Sequence, residues 1–188
     1  MKGTARPACY TDGVKTLFYD DQPLASLLAE VSSSIFLAGP TLRGASRTPW
    51  RSEALALLGA SGYDGAVLLP EMRDGRFDEA VARVFGVGSS PVPHQKVTSY
   101  NILRWETEGI ESATVVLFWM PFDATLTGLT TRAEVSRELV RDPARIVLGM
   151  PTNAASSAHI RYHAHRGGVR IWDTLDQAVA AALVATGR

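Results

Sequence analysis

Ile35-Phe36-Leu37-Ala38-Gly39-Pro40-Thr41 decides how this chain is read. Four apolar residues in succession, with no polar alternation, mark a strand buried on both faces, and the Gly-Pro that halts them opens into a polar loop and then a helix. A parallel strand ends in this way where its carboxyl end meets a ligand crevice. Working outward, the same unit recurs. Ala66-Val67-Leu68-Leu69 is a second buried strand, stopped at Pro70-Glu71. Val115-Val116-Leu117-Phe118-Trp119-Met120 is the most apolar and is stopped by Pro121; Ile146-Val147-Leu148-Gly149 and Val169-Arg170-Ile171-Trp172 bring the count to five. Helical patterns separate them at 49–59, with Thr48 as N-cap and Pro49 in the first turn, and at 77–85, 99–112, 131–140 and 174–186. This alternation predicts an α/β domain spanning 1–188, a doubly wound, mostly parallel sheet of about five strands. Residues 1–33 are an extension in which Thr16-Leu17-Phe18-Tyr19 reads as an edge strand and 24–31 as a short helix. The stretch 86–93 (GVGSSPVP) is the loosest.

Composition bounds the function. The chain has 188 residues, enough to bury roughly 70% of the surface its unfolded form exposes. Its 19 Lys and Arg balance 19 Asp and Glu, so nothing predicts a general electrostatic grip on nucleic acid or membrane, and a small-molecule partner is expected. Cys9 is the single cysteine, which excludes a disulfide framework and a multi-cysteine zinc site and predicts a reducing, cytoplasmic setting. No apolar leader follows Met1-Lys2, and no run approaches the ~20 apolar residues of a membrane span, so the chain is expected to be soluble and not exported.

In a doubly wound sheet the loops after the strand carboxyl ends converge on one crevice. Gly39, Pro40, Thr41, Arg43, Gly44 and Arg47 follow the first strand, Glu71, Arg73 and Asp74 the second, and Trp119, Pro121 and Asp123 the third. Glu106 lies on the helix before that third strand, and Glu134 near the start of the helix after it, just beyond Gly128. This collection holds carboxylates and arginines but no His or Cys, which argues against triad or thiol hydrolysis and against a zinc site. Glu71 and Asp74 read as turn and surface acids. His159, His163 and His165, with spacings of four and two and no acidic neighbours, read as a solvated or interface segment. Carboxylates without histidine suit displacement at an anomeric carbon, where one carboxylate attacks an oxocarbenium-like centre and another acid assists the leaving group.

Several pieces in order carry a family resemblance: Ile35–Thr41, Trp50-Arg51-Ser52-Glu53-Ala54-Leu55, Gly62-Tyr63-Asp64-Gly65 with Pro70-Glu71, Trp105-Glu106, Leu117-Phe118-Trp119-Met120-Pro121, and Gly128-Leu129-Thr130-Thr131-Arg132-Ala133-Glu134. With them the chain resembles the nucleoside 2-deoxyribosyltransferase-like family, in its divergent branch marked by an I-F-L-A-G-P start. The resemblance implies a flavodoxin-like fold with helices on both sheet faces, no cofactor, and a homo-oligomer whose neighbouring subunits help complete each site. It implies Glu134 as the nucleophile, Glu106 as the acid that orients the base, and Asp123 as a third acid in the intervening loop. Gly39, Pro40, Thr41, Arg43, Trp119, Pro121 and Gly128 are the candidate substrate contacts, with Trp119 or Phe118 stacking on the base. Phe36 stands where the better-known enzymes carry a Tyr hydroxyl.

The expected activity is cleavage or transfer of an N-glycosidic bond in a nucleoside or nucleotide. The nucleophile must be ionised, which the positive end of its helix would assist, whereas the acid gains from a raised pKa. Related enzymes of this fold hydrolyse nucleoside 5′-monophosphates, and Thr41-Leu42-Arg43-Gly44, with Arg47 and Arg51 downstream, resembles their phosphate loop. A non-catalytic sensor that binds a nucleotide in the same crevice is the reading from another class.

Overall fold

Seven strands form one sheet in a computed structural model that describes residues 9–11, 13–19, 24–40, 50–71 and 93–187. They are β1 (Cys9–Thr11), β2 (Val14–Phe18), β3 (Ser34–Ala38), β4 (Ala66–Leu69), β5 (Val115–Trp119), β6 (Ile146–Gly149) and β7 (Ile171–Trp172), in the lateral order β1-β2-β4-β3-β5-β6-β7. The helices are α1 (Leu24–Leu28), α2 (Trp50–Ala60), α3 (Pro93–Ser112), α4 (Leu129–Arg141), α5 (Ala158–Arg166) and α6 (Leu175–Ala185), with a 3-10 turn at Pro143–Arg145. The five expected strands, β3 to β7, are all present and lie in the order second, first, third, fourth, fifth. That is the flavodoxin-like order, with its topological switch point between β3 and β5.

The N-terminal extension adds the other two strands. Thr16 to Tyr19 was expected at an edge, but β2, which takes in the first three of these residues, lies inside the sheet, parallel to β4, and β1 folds back antiparallel to occupy the edge. Every residue of β3, β4, β5 and β6 is buried because helices cover both faces. Side-chain alternation divides the core in two. Phe36, Leu68, Phe118 and Leu148 face α1, α3, α4 and α5, where they meet Leu24, Trp105, Val135 and Ile160. Ile35, Leu37, Val67, Leu117 and Val147 face α2 and α6, where they meet Trp50, Leu58, Ala178 and Ala182.

Other elements differ from expectation in informative ways. The helix expected from 99 begins at Pro93, a residue whose missing N–H costs nothing at a helix start. The polar, His-bearing stretch after β6 folds as α5, since Ile160 and Ala164, four residues apart, bury one face. The helix expected at 77–85 lies outside the described residues. No helix among the described residues is long and apolar enough to cross a membrane.

Two features of this fold shape the carboxyl edge. The β3–β4 ladder stops at Phe36–Leu68, whereas the β3–β5 ladder continues to Ala38–Phe118, so β3 and β4 part near their ends. At 20 residues, α3 is about 30 Å long, against about 17 Å for a five-residue strand. It ends at Ser112, just before β5, so its excess length overhangs the carboxyl edge.

Candidate active site

The crevice is built first by a tight approach of backbones at the switch point. A Cβ on Gly39 would lie 2.5 Å from the Trp119 carbonyl oxygen and 2.7 Å from the Trp50 ring, so only glycine lets β3 end this close to β5. Trp50 Nε1 donates to the carbonyl of Pro40 at 3.1 Å, fixing the corner from the α2 side. On the other wall, Gly128 caps α4 in the left-handed conformation (φ 56°), and a Cβ there would collide with the Phe122 ring. Arg132 lies over that same ring, 3.9 Å from its centroid, and donates to the carbonyls of Thr127, Ala155 and Ser156. It thereby ties the loop after β5 to the loop after β6.

Where β3 and β4 part, the side chain of Arg51 takes the place of the missing ladder. Its Nε donates to Leu37 O (3.2 Å), its Nη2 to Gly39 O (2.7 Å) and its Nη1 to Glu71 Oε1 (2.8 Å). Arg51 is only 4% exposed, and burial pulls its pKa down against the opposing pull of Glu71, Glu106 and Glu134. Both crevice carboxylates therefore lie within electrostatic reach of this one guanidinium.

Glu134 lies on the inward stripe of α4, beside Thr131, Val135 and Glu138, and Glu106 on α3 follows the buried Trp105. Both are partly buried. Burial pushes the Glu106 carboxyl up to about 7, with Arg51 pulling the other way. Burial pushes Glu134 up to about 8, the negative charge of Glu106 adds to the rise, and Arg137 and Arg51 oppose it. In this poorly solvated place the charge of Glu106 disfavours that of Glu134, so the two titrate together, with the higher value on Glu134. The expected help from the helix end is small. Glu134 is the sixth residue of α4, and the macrodipole fades beyond the first turn, so side chains supply the stabilising charge instead.

The structure thus brings Glu134 and Glu106 within electrostatic reach of the arginine that holds the Gly39-Pro40 corner, with Gly128 and Pro121 on the loop between β5 and α4. Asp123 is set apart by its surroundings. It is exposed, and its Oδ1 accepts hydrogen bonds from Thr125 N, Thr125 Oγ1 and Leu126 N, the pattern of a turn-forming aspartate. Trp119 is 8% exposed and packs in the core on the α2 and α6 face, beside Gly149 and Ala178, while Phe118 is buried in the opposite core. Neither ring is free to stack on a base. Phe36 packs against Trp105, with ring centroids 5.9 Å apart. Thr41 and Arg43, as well as Arg47, Arg73 and Asp74, lie outside the described residues.

Three residues at or near this site were given little or no weight from sequence. Arg51 read as a further arginine of a phosphate loop, yet its donors are spent on carbonyls and on Glu71; Glu71 itself read as a surface acid. Arg132 carried no signal beyond its place in the Gly128–Glu134 stretch. Among the described residues no group of three His, Cys, Asp or Glu could hold a metal ion, although His159 and His163 lie ring to ring with centroids 4.4 Å apart. Neither a scan against protein-family models nor a search of curated proteins returns a match.

Proposed function

We propose that this crevice cleaves the N-glycosidic bond of a nucleoside or nucleotide by way of a covalent glycosyl intermediate, as the family resemblance implies. One observation supports the reading: Glu106 and Glu134, both partly buried, lie within electrostatic reach of Arg51, which holds the carbonyls of Leu37 and Gly39, and both are pushed toward their neutral forms. Pairs of carboxyls whose surroundings divide one proton between them suit a reaction that needs one acid and one base at the same pH.

In the reaction, a carboxylate oxygen of Glu134 attacks the anomeric carbon. The C1′–N bond breaks, its electron pair leaves with the base, and the proton held by Glu106 passes to a ring nitrogen of that base. The sugar is left as an ester on Glu134. Water or a second base then attacks the same carbon, returns the Glu134 carboxylate, and gives its proton back to Glu106. In the free protein the higher value lies on Glu134, so productive binding must move the proton to Glu106 and leave the charge on Glu134. Arg137, which opposes the rise of Glu134, favours that distribution. Asp123 has no part in this scheme, because its carboxylate is committed to its own turn.

Incubation with deoxynucleosides, ribonucleosides and their 5′-monophosphates, with and without a free acceptor base, tests the proposal by chromatography. Release of base into water marks a hydrolase, exchange of bases a transferase, and either must vanish in Glu134→Gln. Absence of turnover across the whole panel, with binding retained, overturns the enzymatic reading in favour of a sensor.

A further inference from the structure

We propose that Arg51, held by Glu71, is the positioning residue of this site: it sets the corner at Gly39-Pro40 and supplies the positive charge that lets one of the two facing carboxyls stay ionised. The inference rests on the proposed glycosidic chemistry for its catalytic meaning, but its physical content stands on the geometry. The β3–β4 ladder ends at Phe36–Leu68, and beyond it the carbonyls of Leu37 and Gly39 turn to Arg51. A planar guanidinium can satisfy two carbonyls and a carboxylate at fixed angles, and a lysine ammonium on a flexible stem cannot reproduce that fork. The corner after β3 is therefore as rigid as the buried arginine beneath it.

The charge matters as much as the shape. Arg51 faces Glu71 directly and acts on both Glu106 and Glu134. Glu106 is opposed by Arg51; Glu134 is faced by Glu106 and Glu138 on the negative side and by Arg137 and Arg51 on the positive side. Among the described residues Arg51 is the cation common to both acids. Glu71 partly neutralises it, which leaves the pair able to hold a proton near neutral pH. Without Glu71 the bare guanidinium would draw both acids toward full ionisation; without Arg51 both would protonate more readily.

This produces opposite signs for two neighbouring substitutions, read directly on the full chain carrying glutamate labelled with carbon-13 at the side-chain carboxyl. NMR titration of the free protein should show the Glu106 and Glu134 midpoints rise by about 0.5 pH unit or more in Arg51→Met. They should fall in Glu71→Gln and stay near wild type in Arg51→Lys. In turnover of the deoxynucleosides described above, the pH profile of Arg51→Lys should keep its position while kcat drops about tenfold or more, because the corner is no longer held. Unchanged midpoints in a folded Arg51→Met, or a rise in Glu71→Gln, would overturn the electrostatic role. Wild-type kcat in Arg51→Lys would overturn the role in shaping the corner. Should Arg51→Met fail to fold, as judged by circular dichroism, Glu71→Gln still decides. If the wild type turns over no nucleoside, the glycosidic reading fails by itself, while the titrations still judge Arg51.

Discussion

Glu134 and Glu138 lie one turn apart on the inward stripe of α4, and the helix treats them in opposite ways. Glu138 is wholly buried, yet Arg137 donates to it at 2.8 Å, and Arg141 and Arg145 stand 3.8 and 3.9 Å away. Arg145 also donates to the carbonyls of Ile110, Glu111 and Ala113, so this cluster joins α4 to the end of α3. Glu134 accepts no hydrogen bond from an arginine among the described residues; Arg137 and Arg51 act on it through charge alone, against Glu106 and Glu138. Only Oε1 of Glu138 accepts a hydrogen bond and Oε2 has none among the described residues, so its match rests on the charge of three arginines, a role in the fold, whereas a carboxyl set near a like charge costs stability.

Substitution should separate the two most sharply. Glu134→Gln is expected to lower turnover by about three powers of ten or more while leaving the thermal midpoint unchanged or raised, because it removes a carboxyl whose charged form is poorly solvated along with the proposed nucleophile. Glu138→Gln should do the reverse, costing about 2–3 kcal/mol in denaturant unfolding, below the full value for a buried pair because its arginines are partly exposed. Activity within tenfold of wild type in the first variant, or an unshifted midpoint in the second, would erase the contrast. Gly128→Ala comes next. The left-handed cap and the Phe122 ring together should make it cost about 2 kcal/mol and lower kcat, because the whole of α4, Glu134 included, must shift to relieve the clash.

Acid titration sharpens the comparison further. The folded values of Glu106 and Glu134, about 7 and about 8, lie above the ~4.3 of an exposed glutamate, so the native state binds more protons than the unfolded one between these limits. Their contribution to stability is therefore complete below about pH 4 and is lost as pH rises to about 8, each acid contributing less than the ~1.4 kcal/mol per pH unit of a fully coupled proton. Thermal melts of wild type against Glu134→Gln should show this decline flattened in the variant. A difference that grows in the other direction would refute the raised pair. The smallest effect is expected at Asp123, where Asp123→Asn should cost under about 1 kcal/mol and leave turnover within about fivefold, as befits a turn residue.

Much of this was legible in the sequence because the relevant signals are local. Uninterrupted apolar runs marked β3 to β6, and Gly-Pro, Gly128 and the two acids fell at the carboxyl edge by order alone. β1 was missed because Cys9–Thr11 has neither an apolar run nor a clear alternation. α5 was missed because two small or branched residues, Ile160 and Ala164, bury its face among histidines and arginines. The roles of Arg51 and Glu71 were illegible for another reason. Their pairing joins residues 20 positions apart across a gap in a ladder, and nothing in the sequence says where a ladder stops. Trp119 misled because aromatic rings at strand ends serve a core and a ligand equally well until the helix beyond the sheet is placed.

The overhang of α3 gives its two ends unequal leverage. With Ser112 as pivot, Glu106 lies about 9 Å up the helix and Pro93 about 28 Å, so a tilt that carries the far tip through a given arc moves the acid through only a third of it.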